Sequence, residues 1–293
     1  MHALPLVVAF LVAAAIAPAL ARALAAAGHT RANYRDRQLP CPFGVIVLAA
    51  ASLALIPLTL VERLASVHVL LPALAPIAIY TLGVLALGLI DDTLPLPGAG
   101  ARDADGADAG AHPRGWRGHG AAALRGELST GALKAVGSLG LALLAADTGG
   151  LGLGRSNGRW LLAAAVLVLA TNVFNLLDLR PGRAAKALVL LGAGLTLGSG
   201  EVRQLWALGL FVAPALVAGA YDVRERVMLG DTGANLLGAL AGLWLVLTLS
   251  AEGQLVALGL LALVTVYGEL SSISALVERV PGLRELDSWG RPS

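Results

Sequence analysis

Nine long apolar runs dominate the chain, and shorter polar segments separate them. The runs lie at about 3–21, 43–60, 69–90, 131–147, 159–177, 184–199, 204–220, 233–250 and 254–273. Most approach the roughly 20 residues that a helix needs to cross a bilayer core about 30 Å thick. None alternates apolar and polar residues as the strands of a membrane barrel do. The pattern predicts an all-α, polytopic integral membrane bundle with nine transmembrane helices, and ten as the alternative count.

The composition agrees with a membrane protein and excludes several other classes. Of the 293 residues, 57% are hydrophobic and only 14% are charged. A soluble domain carries about 25% charged residues, and a disordered chain combines low hydrophobicity with high net charge. The formal net charge of +2 gives no reason to expect a nucleic-acid partner. The single cysteine, Cys41, excludes an internal disulfide framework and a cysteine-based zinc site.

The basic residues indicate how the predicted helices are oriented. With the N-terminus placed outside, 17 of the 21 Lys and Arg residues fall on the cytosolic side. Cytosolic segments of membrane proteins carry such an excess of basic residues. We therefore predict that the C-terminus lies on the cytosolic side of the cell membrane. The chain is then one transmembrane domain over 1–293. It carries a flexible cytosolic insertion at about 97–115 and a tail at about 274–293, whose spaced leucines suggest a position along the membrane surface.

Asp91 and Asp92 end the third apolar run, in the sequence GLIDDTLPLPG. Adjacent carboxylates repel each other, and a hard cation such as Mg²⁺ relieves that repulsion by binding their oxygens. The alternative is that a helix simply ends in water there. Lys134, in the fourth run, is one of only two lysines in the chain. It either contacts a phosphate group or extends to the membrane surface.

The segment TNVFNLLDLRPGRAAK combines amides, a carboxylate and cations at the end of the fifth run. Asn172, Asn175 and Asp178 recur every three residues, so they share one face of a helix. Arg180 and Arg183 follow, and arginine binds phosphate through paired hydrogen bonds. This combination suits a phosphorylated ligand with a metal. The alternative is that the asparagines join helices and the arginines only follow the orientation rule.

Asp231 lies in the sequence MLGDTGANLLG, where the eighth run begins. The free N–H groups at a helix start bind anions, so this position, together with Thr232, suits a phosphate. A simpler role for Asp231 is to cap the helix, which is a common use of aspartate.

Together these stretches resemble a known enzyme family. An Asp-Asp pair after an apolar helix, an N-x-x-N-L-x-D segment and a later G-D-T-G occur in this order on one predicted side of the membrane. They resemble the polyprenyl-phosphate N-acetylhexosamine-1-phosphate transferase family, which includes the MraY and WecA enzymes. The resemblance implies an MraY-like bundle that needs Mg²⁺. It also implies transfer of a sugar-1-phosphate from a UDP-sugar to undecaprenyl or another polyprenyl phosphate, with release of UMP, at the cytosolic face. Such a reaction serves cell-envelope glycans such as peptidoglycan, and a homodimer follows only by analogy.

The residue patterns and the resemblance together predict three kinds of role in one site. The residues predicted to be catalytic are Asp91, Asp92 and Asp178. The residues predicted to hold Mg²⁺ are Asp231 and Asp92. The residues predicted to bind substrate are Asn172, Asn175, Lys134, Arg180 and Arg183.

The sequence departs from the family pattern at two places. Pro181 stands where the family has a second aspartate, and no histidine follows His119, although the family has a histidine motif in its last cytosolic loop. Arg180 and Arg183 are hypothetical replacements for those lost contacts. Two other functions stay open: a non-catalytic family member that binds polyprenyl phosphate or serves as a partner subunit, and a secondary transporter. Acids at helix ends argue against the transporter, whose sites usually lie near the bilayer midplane.

Overall fold

The structure is a computed structural model that describes residues 1–94, 130–147, 151 and 156–292. Within these ranges the chain forms eleven helices and one small hairpin. The helices are α1 (Leu4–Ala26), α2 (Val45–Leu64), α3 (Leu74–Thr93), α4 (Thr130–Asp147), α5 (Asn157–Leu177), α6 (Arg183–Ser199), α7 (Arg203–Asp222), α8 (Gly230–Thr248), α9 (Ala251–Leu270), α10 (Ile273–Arg279) and α11 (Pro281–Ser288). The strands β1 (Thr30–Ala32) and β2 (Gln38–Pro40) pair antiparallel between α1 and α2. The insertion predicted at 97–115 lies outside the described residues.

All nine predicted apolar runs form helices, from α1 to α9. In the described part of the chain, seven of them are long and apolar enough to cross a membrane: α1, α2, α3, α5, α7, α8 and α9. This agrees with the predicted polytopic helical membrane protein. The other two helices, α4 with 18 residues and α6 with 17, are not among the seven. The β1–β2 hairpin is an addition to the predicted all-α fold, and the predicted tail contains the two short helices α10 and α11.

Helix α8 lies at the centre of the bundle, and nearly all of its residues are buried against α3, α5, α6 and α7. Two glycines one turn apart let α5 approach its backbone. A Cβ atom at Gly238 would lie 2.5 Å from the Cα of Thr171, and one at Gly242 would lie 3.1 Å from the Cβ of Ala170. Within a membrane no hydrophobic force drives helices together, so they associate through close packing, which small residues at such spacing allow.

One end of the bundle collects most of the polar residues predicted from the sequence. Hydrogen bonds there join the end of α3 to the starts of α4 and α8, and the end of α7 to the turn between α5 and α6. We call this the site end of the bundle. The tail that follows α9 also packs there, because α6 donates hydrogen bonds to it.

Candidate functional site

Lys134 on α4 joins two aspartates from different helices at the site end. Its Nζ donates a hydrogen bond of 2.7 Å to Asp91 Oδ2 near the end of α3, and one of 3.2 Å to Asp231 Oδ2 in the first turn of α8. The three side chains are between 14 and 33% exposed. We call these three residues the Lys134 cluster. Its two carboxylates face one shared position, which the lysine ammonium occupies, and water reaches the group.

Two glycines bring the backbones of α3 and α8 together beneath this cluster. A Cβ atom at Gly88 would lie 2.5 Å from the carbonyl oxygen of Asp231, so a larger residue would push the helices apart. Gly230, the first residue of α8, has a φ of +71°, which glycine adopts at low cost. A Cβ atom there would lie 2.6 Å from Asp92 Oδ2. The G-D-T-G sequence is therefore needed for close approach as well as for its aspartate.

Asp92 is turned away from the Lys134 cluster and binds the start of α8. Its Oδ1 accepts from the backbone N–H of Asp231 at 3.1 Å, and its Oδ2 accepts from the backbone N–H of Thr232 at 2.8 Å. Arg31 lies 3.3 Å from Oδ1, and the Asp92 side chain is only 1% exposed. The sequence suggested that a phosphate binds the N–H groups at the start of α8. In the structure the Asp92 carboxylate binds them instead. The geometry favours Asp91 as the partner of Asp231, in place of the predicted Asp92, because both Asp92 oxygens already accept hydrogen bonds.

Asp178 follows α5 directly and lies among other acids. Burial raises the pKa of its carboxyl well above the ordinary value, and the charges of Asp222, Asp231 and Asp92 raise it further, whereas Arg183 lowers it. Among the residues that the structure describes, none donates a hydrogen bond to this carboxylate. Asp178 therefore retains a proton more readily than an ordinary aspartate, within electrostatic reach of Asp231.

The two predicted asparagines have different surroundings. Asn172 Nδ2 donates to Thr265 Oγ1 on α9 at 3.3 Å, so its amide joins two helices, as polar groups often do within membranes. This contact does not support the predicted substrate contact of Asn172. The side chain of Asn175 makes no hydrogen bond with the described part of the chain, and its role stays a prediction.

Arg183 binds the C-terminal tail, which consists of α10, α11 and residues 289–292. Its Nε and Nη2 donate to the two carboxylate oxygens of Asp287 at 2.8 and 3.0 Å. Arg291 binds the same carboxylate, and Lys186 donates to the backbone oxygen of Asp287 at 2.6 Å. Although burial raises the pKa of Asp287, hydrogen bonds from Arg183 and Arg291 bring it below the ordinary value. Arg183, which was predicted to bind substrate, is therefore already paired with Asp287.

Arg180 also faces groups of the protein itself. Its guanidinium lies 3.6 Å from Glu278 on α10, and it stacks over the ring of Tyr34 at 4.5 Å from the ring centre. The Arg180 side chain is 29% exposed, so a ligand could still reach it. The hypothesis that Arg180 and Arg183 replace lost family contacts thus has a structural alternative, in which they hold the tail and the β1–β2 loop.

Two buried acids that shape the site end were missed by the sequence reasoning. Glu225 is fully buried and accepts hydrogen bonds from Asn33 Nδ2 at 3.2 Å and the Tyr34 hydroxyl at 2.9 Å. Asp222 accepts from the backbone N–H of Gly182 at 2.6 Å and so holds the turn after α5. Their only signal in the sequence is the rarity of acidic residues, 19 in the whole chain.

The Lys134 cluster provides a test of whether Mg²⁺ fits this site. Within the residues that the structure describes, no three His, Cys, Asp or Glu side chains are grouped so that they could hold a metal ion. Mg²⁺ at phosphate sites usually needs only one or two carboxylates, with water and substrate phosphates as the remaining ligands. Asp91 and Asp231 direct carboxylate oxygens at one cation, so this pair fits that requirement.

Comparison with known proteins adds no family to these observations. No protein-family model matches the chain, and no curated protein matches it. The functional conclusion therefore depends on the geometry of the Lys134 cluster and on the order of the motifs.

Proposed function

We propose that the chain is a Mg²⁺-dependent transferase that moves a sugar-1-phosphate, of the N-acetylhexosamine type, from a UDP-sugar to a polyprenyl phosphate such as undecaprenyl phosphate. The Lys134 cluster carries the proposal, because it places two carboxylates and an ammonium at the polar end of a bundle of apolar helices. A lipid phosphate and a water-soluble nucleotide-sugar meet only at a membrane boundary. The order of the Asp-Asp, N-L-x-D and G-D-T-G motifs supports the same reaction.

Phosphoryl transfer needs positioning of the reactants and neutralisation of phosphate oxygens more than covalent help. In the proposed reaction, an oxygen of the lipid phosphate attacks the β-phosphorus of the UDP-sugar. A new P–O bond forms, the bond to the α-phosphate breaks, and UMP leaves with the electron pair. Lys134 donates hydrogen bonds to phosphate oxygens, and the ionised carboxylate of Asp178 accepts the proton that the lipid phosphate releases.

Asp91 and Asp231 would hold Mg²⁺ at the position that Lys134 now occupies. When bound, the ion supplies charge neutralisation and alignment of phosphate oxygens. Asp92 has a positioning role in this proposal, because it fixes the start of α8 and with it the direction of Asp231.

We place the site end at the cytoplasmic face of the cell membrane. In this arrangement α4 and α6 cross the bilayer beside the seven longer apolar helices, and the N-terminus lies outside. With the N-terminus placed outside, 17 of the 21 basic residues fall on the cytoplasmic side. This excess supports the proposed orientation. A homodimer is proposed by analogy with the resembling family alone.

The test is UMP release by the purified protein with undecaprenyl phosphate, Mg²⁺ and a panel of UDP-sugars. We expect UMP with at least one donor, no UMP after chelation of Mg²⁺, and loss of release in Asp231→Asn. Glu252→Gln is the matched control, because Glu252 is exposed in the first turn of α9, at the opposite end of α8 from Asp231. If no donor gives UMP while a working family enzyme does so under the same conditions, the transferase proposal is wrong.

A second candidate function is binding of polyprenyl phosphate without catalysis. The pairing of Arg183 with Asp287 favours it, because a cation predicted to hold substrate is engaged by the chain itself. Saturable binding of undecaprenyl phosphate without UMP release from any donor would support this second function over the first.

A further inference from the structure

Most of the apolar side chains of the C-terminal tail are exposed, although Ile273 at its start is buried. Trp289 is 74% exposed. Four aliphatic residues along the tail are each 37–42% exposed: Leu276, Val280, Leu283 and Leu286. A surface helix in water normally does the reverse, with its apolar side on the protein. An exposed apolar strip of this kind marks a surface that contacts something other than water.

The polar side of the tail is bound firmly to the bundle. The carboxylate of Asp287 is only 12% exposed, and it accepts paired hydrogen bonds from Arg183 on α6. Arg183 also donates to Ser274 Oγ on α10 at 3.1 Å, and Arg291 donates to the carbonyl oxygen of Pro181 at 2.8 Å. These contacts hold both tail helices in one orientation, so their apolar side is presented outward as a fixed surface.

The position of the tail identifies what lies next to that surface. Helix α10 begins at Ile273, just after α9 ends at Leu270, and α9 is one of the helices able to cross a membrane. Leu270 is 79% exposed, so the outward apolar surface of α9 continues to the start of the tail. The tail therefore starts where a transmembrane helix leaves the bilayer.

The charges on the outward side of the tail fit an anionic lipid surface. Arg279 and Arg284 are exposed, and neither forms an ion pair with any residue in the described ranges. Glu285 is the exposed carboxylate beside them, while Glu278 lies 3.6 Å from Arg180. Apolar side chains flanked by arginines are typical of helices that lie within the head-group layer of a membrane.

We propose that α10 and α11 form an interfacial membrane anchor, with the apolar side of the tail in the head-group layer beside α9. Arg279 and Arg284 contact anionic lipid head groups. The anchor links the bilayer to the turn after Asp178 through the Asp287–Arg183 pair. It does not depend on the proposed transferase function.

Site-specific fluorescence in lipid nanodiscs tests the anchor. A polarity-sensitive NBD label is attached to Leu283→Cys or Leu286→Cys, in a background in which buried Cys41 is Ala. Glu285→Cys is the matched control on the same helix. We expect blue-shifted emission and strong quenching by shallow doxyl-labelled lipids at positions 283 and 286, and water-like, weakly quenched emission at 285. Equal, water-like emission at all three positions would overturn the proposal.

A second measurement tests the role of charge in the anchor. In nanodiscs that contain phosphatidylglycerol, the 286 label should be quenched more than in pure phosphatidylcholine. That difference should fall in the variant that combines Arg279→Gln and Arg284→Gln, and an unchanged difference would contradict the proposed arginine contacts. Because neither measurement uses UMP release, failure of the anchor and failure of the transferase proposal are distinguishable.

Discussion

Asp92 Oδ2 accepts two hydrogen bonds from Thr232, one from its backbone N–H at 2.8 Å and one from its hydroxyl at 2.7 Å. A carboxylate at the end of α3 thereby satisfies N–H groups at the start of α8, where the helix dipole also favours negative charge. The neighbouring Asp91 faces Lys134 instead. Two adjacent aspartates thus make different contacts, one with a helix terminus and the other with a cation.

Replacing Asp92 with Ala should lower the free energy of unfolding by about 3 kcal/mol, because two backbone N–H groups and Arg31 lose their acceptor. Thr232→Val removes only the hydroxyl bond and should cost about 1 kcal/mol. Denaturant unfolding in detergent micelles measures both effects, with Glu285→Ala as the exposed control. The losses should be the same with and without Mg²⁺. A loss for Asp92→Ala that appears only when Mg²⁺ is present would make Asp92 a metal ligand, as the sequence predicts.

Replacing Lys134 with Met should destabilise the protein and make Mg²⁺ more stabilising. Without the ammonium, the carboxylates of Asp91 and Asp231 repel each other, and two unit charges about 4 Å apart repel by about 4 kcal/mol at an effective dielectric constant of about 20. Thermal unfolding with increasing Mg²⁺ should therefore show a larger rise in Tm for this variant than for the unaltered protein.

Lys186→Met is the matched control, since Lys186 is the other lysine of the chain and, within the described residues, its ammonium donates hydrogen bonds only to the tail. It should leave the response to Mg²⁺ unchanged. An equal Mg²⁺ response in all three proteins would argue against a metal position between Asp91 and Asp231.

The pairing of Arg183 with Asp287 should control the docking of the tail. Arg183→Ala and Asp287→Ala should each accelerate trypsin cleavage at the exposed Arg279 and Arg284, and the double variant should be little worse than either single one. A double-mutant cycle on unfolding free energies should give a coupling of about 1–3 kcal/mol, as for residues in direct contact. Additive effects would mean that the two side chains do not act together, and Glu285→Ala should leave cleavage unchanged.

The pH dependence of UMP release should report on Asp178. As a base, Asp178 must be ionised, so activity falls as the pH drops through its pKa, which burial and neighbouring acids raise above the ordinary value of 3.8. Arg183 lowers this pKa, so Arg183→Met should move the acid limb of the profile to higher pH. Lys186→Met should leave it in place. A limb that stays fixed in Arg183→Met, or moves to lower pH, would assign it to another group.

The helices could be predicted from the sequence, because each depends on a local property. An apolar run of about 20 residues forms a helix wherever its backbone cannot bond to water, and all nine runs do so. The site was predictable to the level of which segments meet. Lys134 contacts Asp91 and Asp231, and Asp178 lies within electrostatic reach of Asp231, while the roles predicted for these residues stay predictions.

The contacts of individual polar side chains were not predictable in the same way. Asn172 was grouped with Asp178 on one helical face, yet its amide bonds to Thr265 on α9. Arg183 was expected to face a substrate, and it faces Asp287, more than a hundred positions later in the chain. Glu225 gave no local pattern at all, although it is the acceptor that holds the β1–β2 loop.

The sequence alone determined that this is a bundle of apolar helices whose few acids lie at helix ends, because hydrophobicity and helix length act within one segment. Only the tertiary structure decided which acid binds a helix start, which one shares Lys134 and which one holds the tail. Those choices depend on helix rotations and on approaches of a few ångströms between segments far apart in the chain, such as that of Gly88 to Asp231. A shift of a few ångströms decides whether a hydrogen bond forms, because hydrogen bonds depend steeply on distance and angle. The hydrophobic effect is non-directional, so the same shift changes the burial of the apolar helices little.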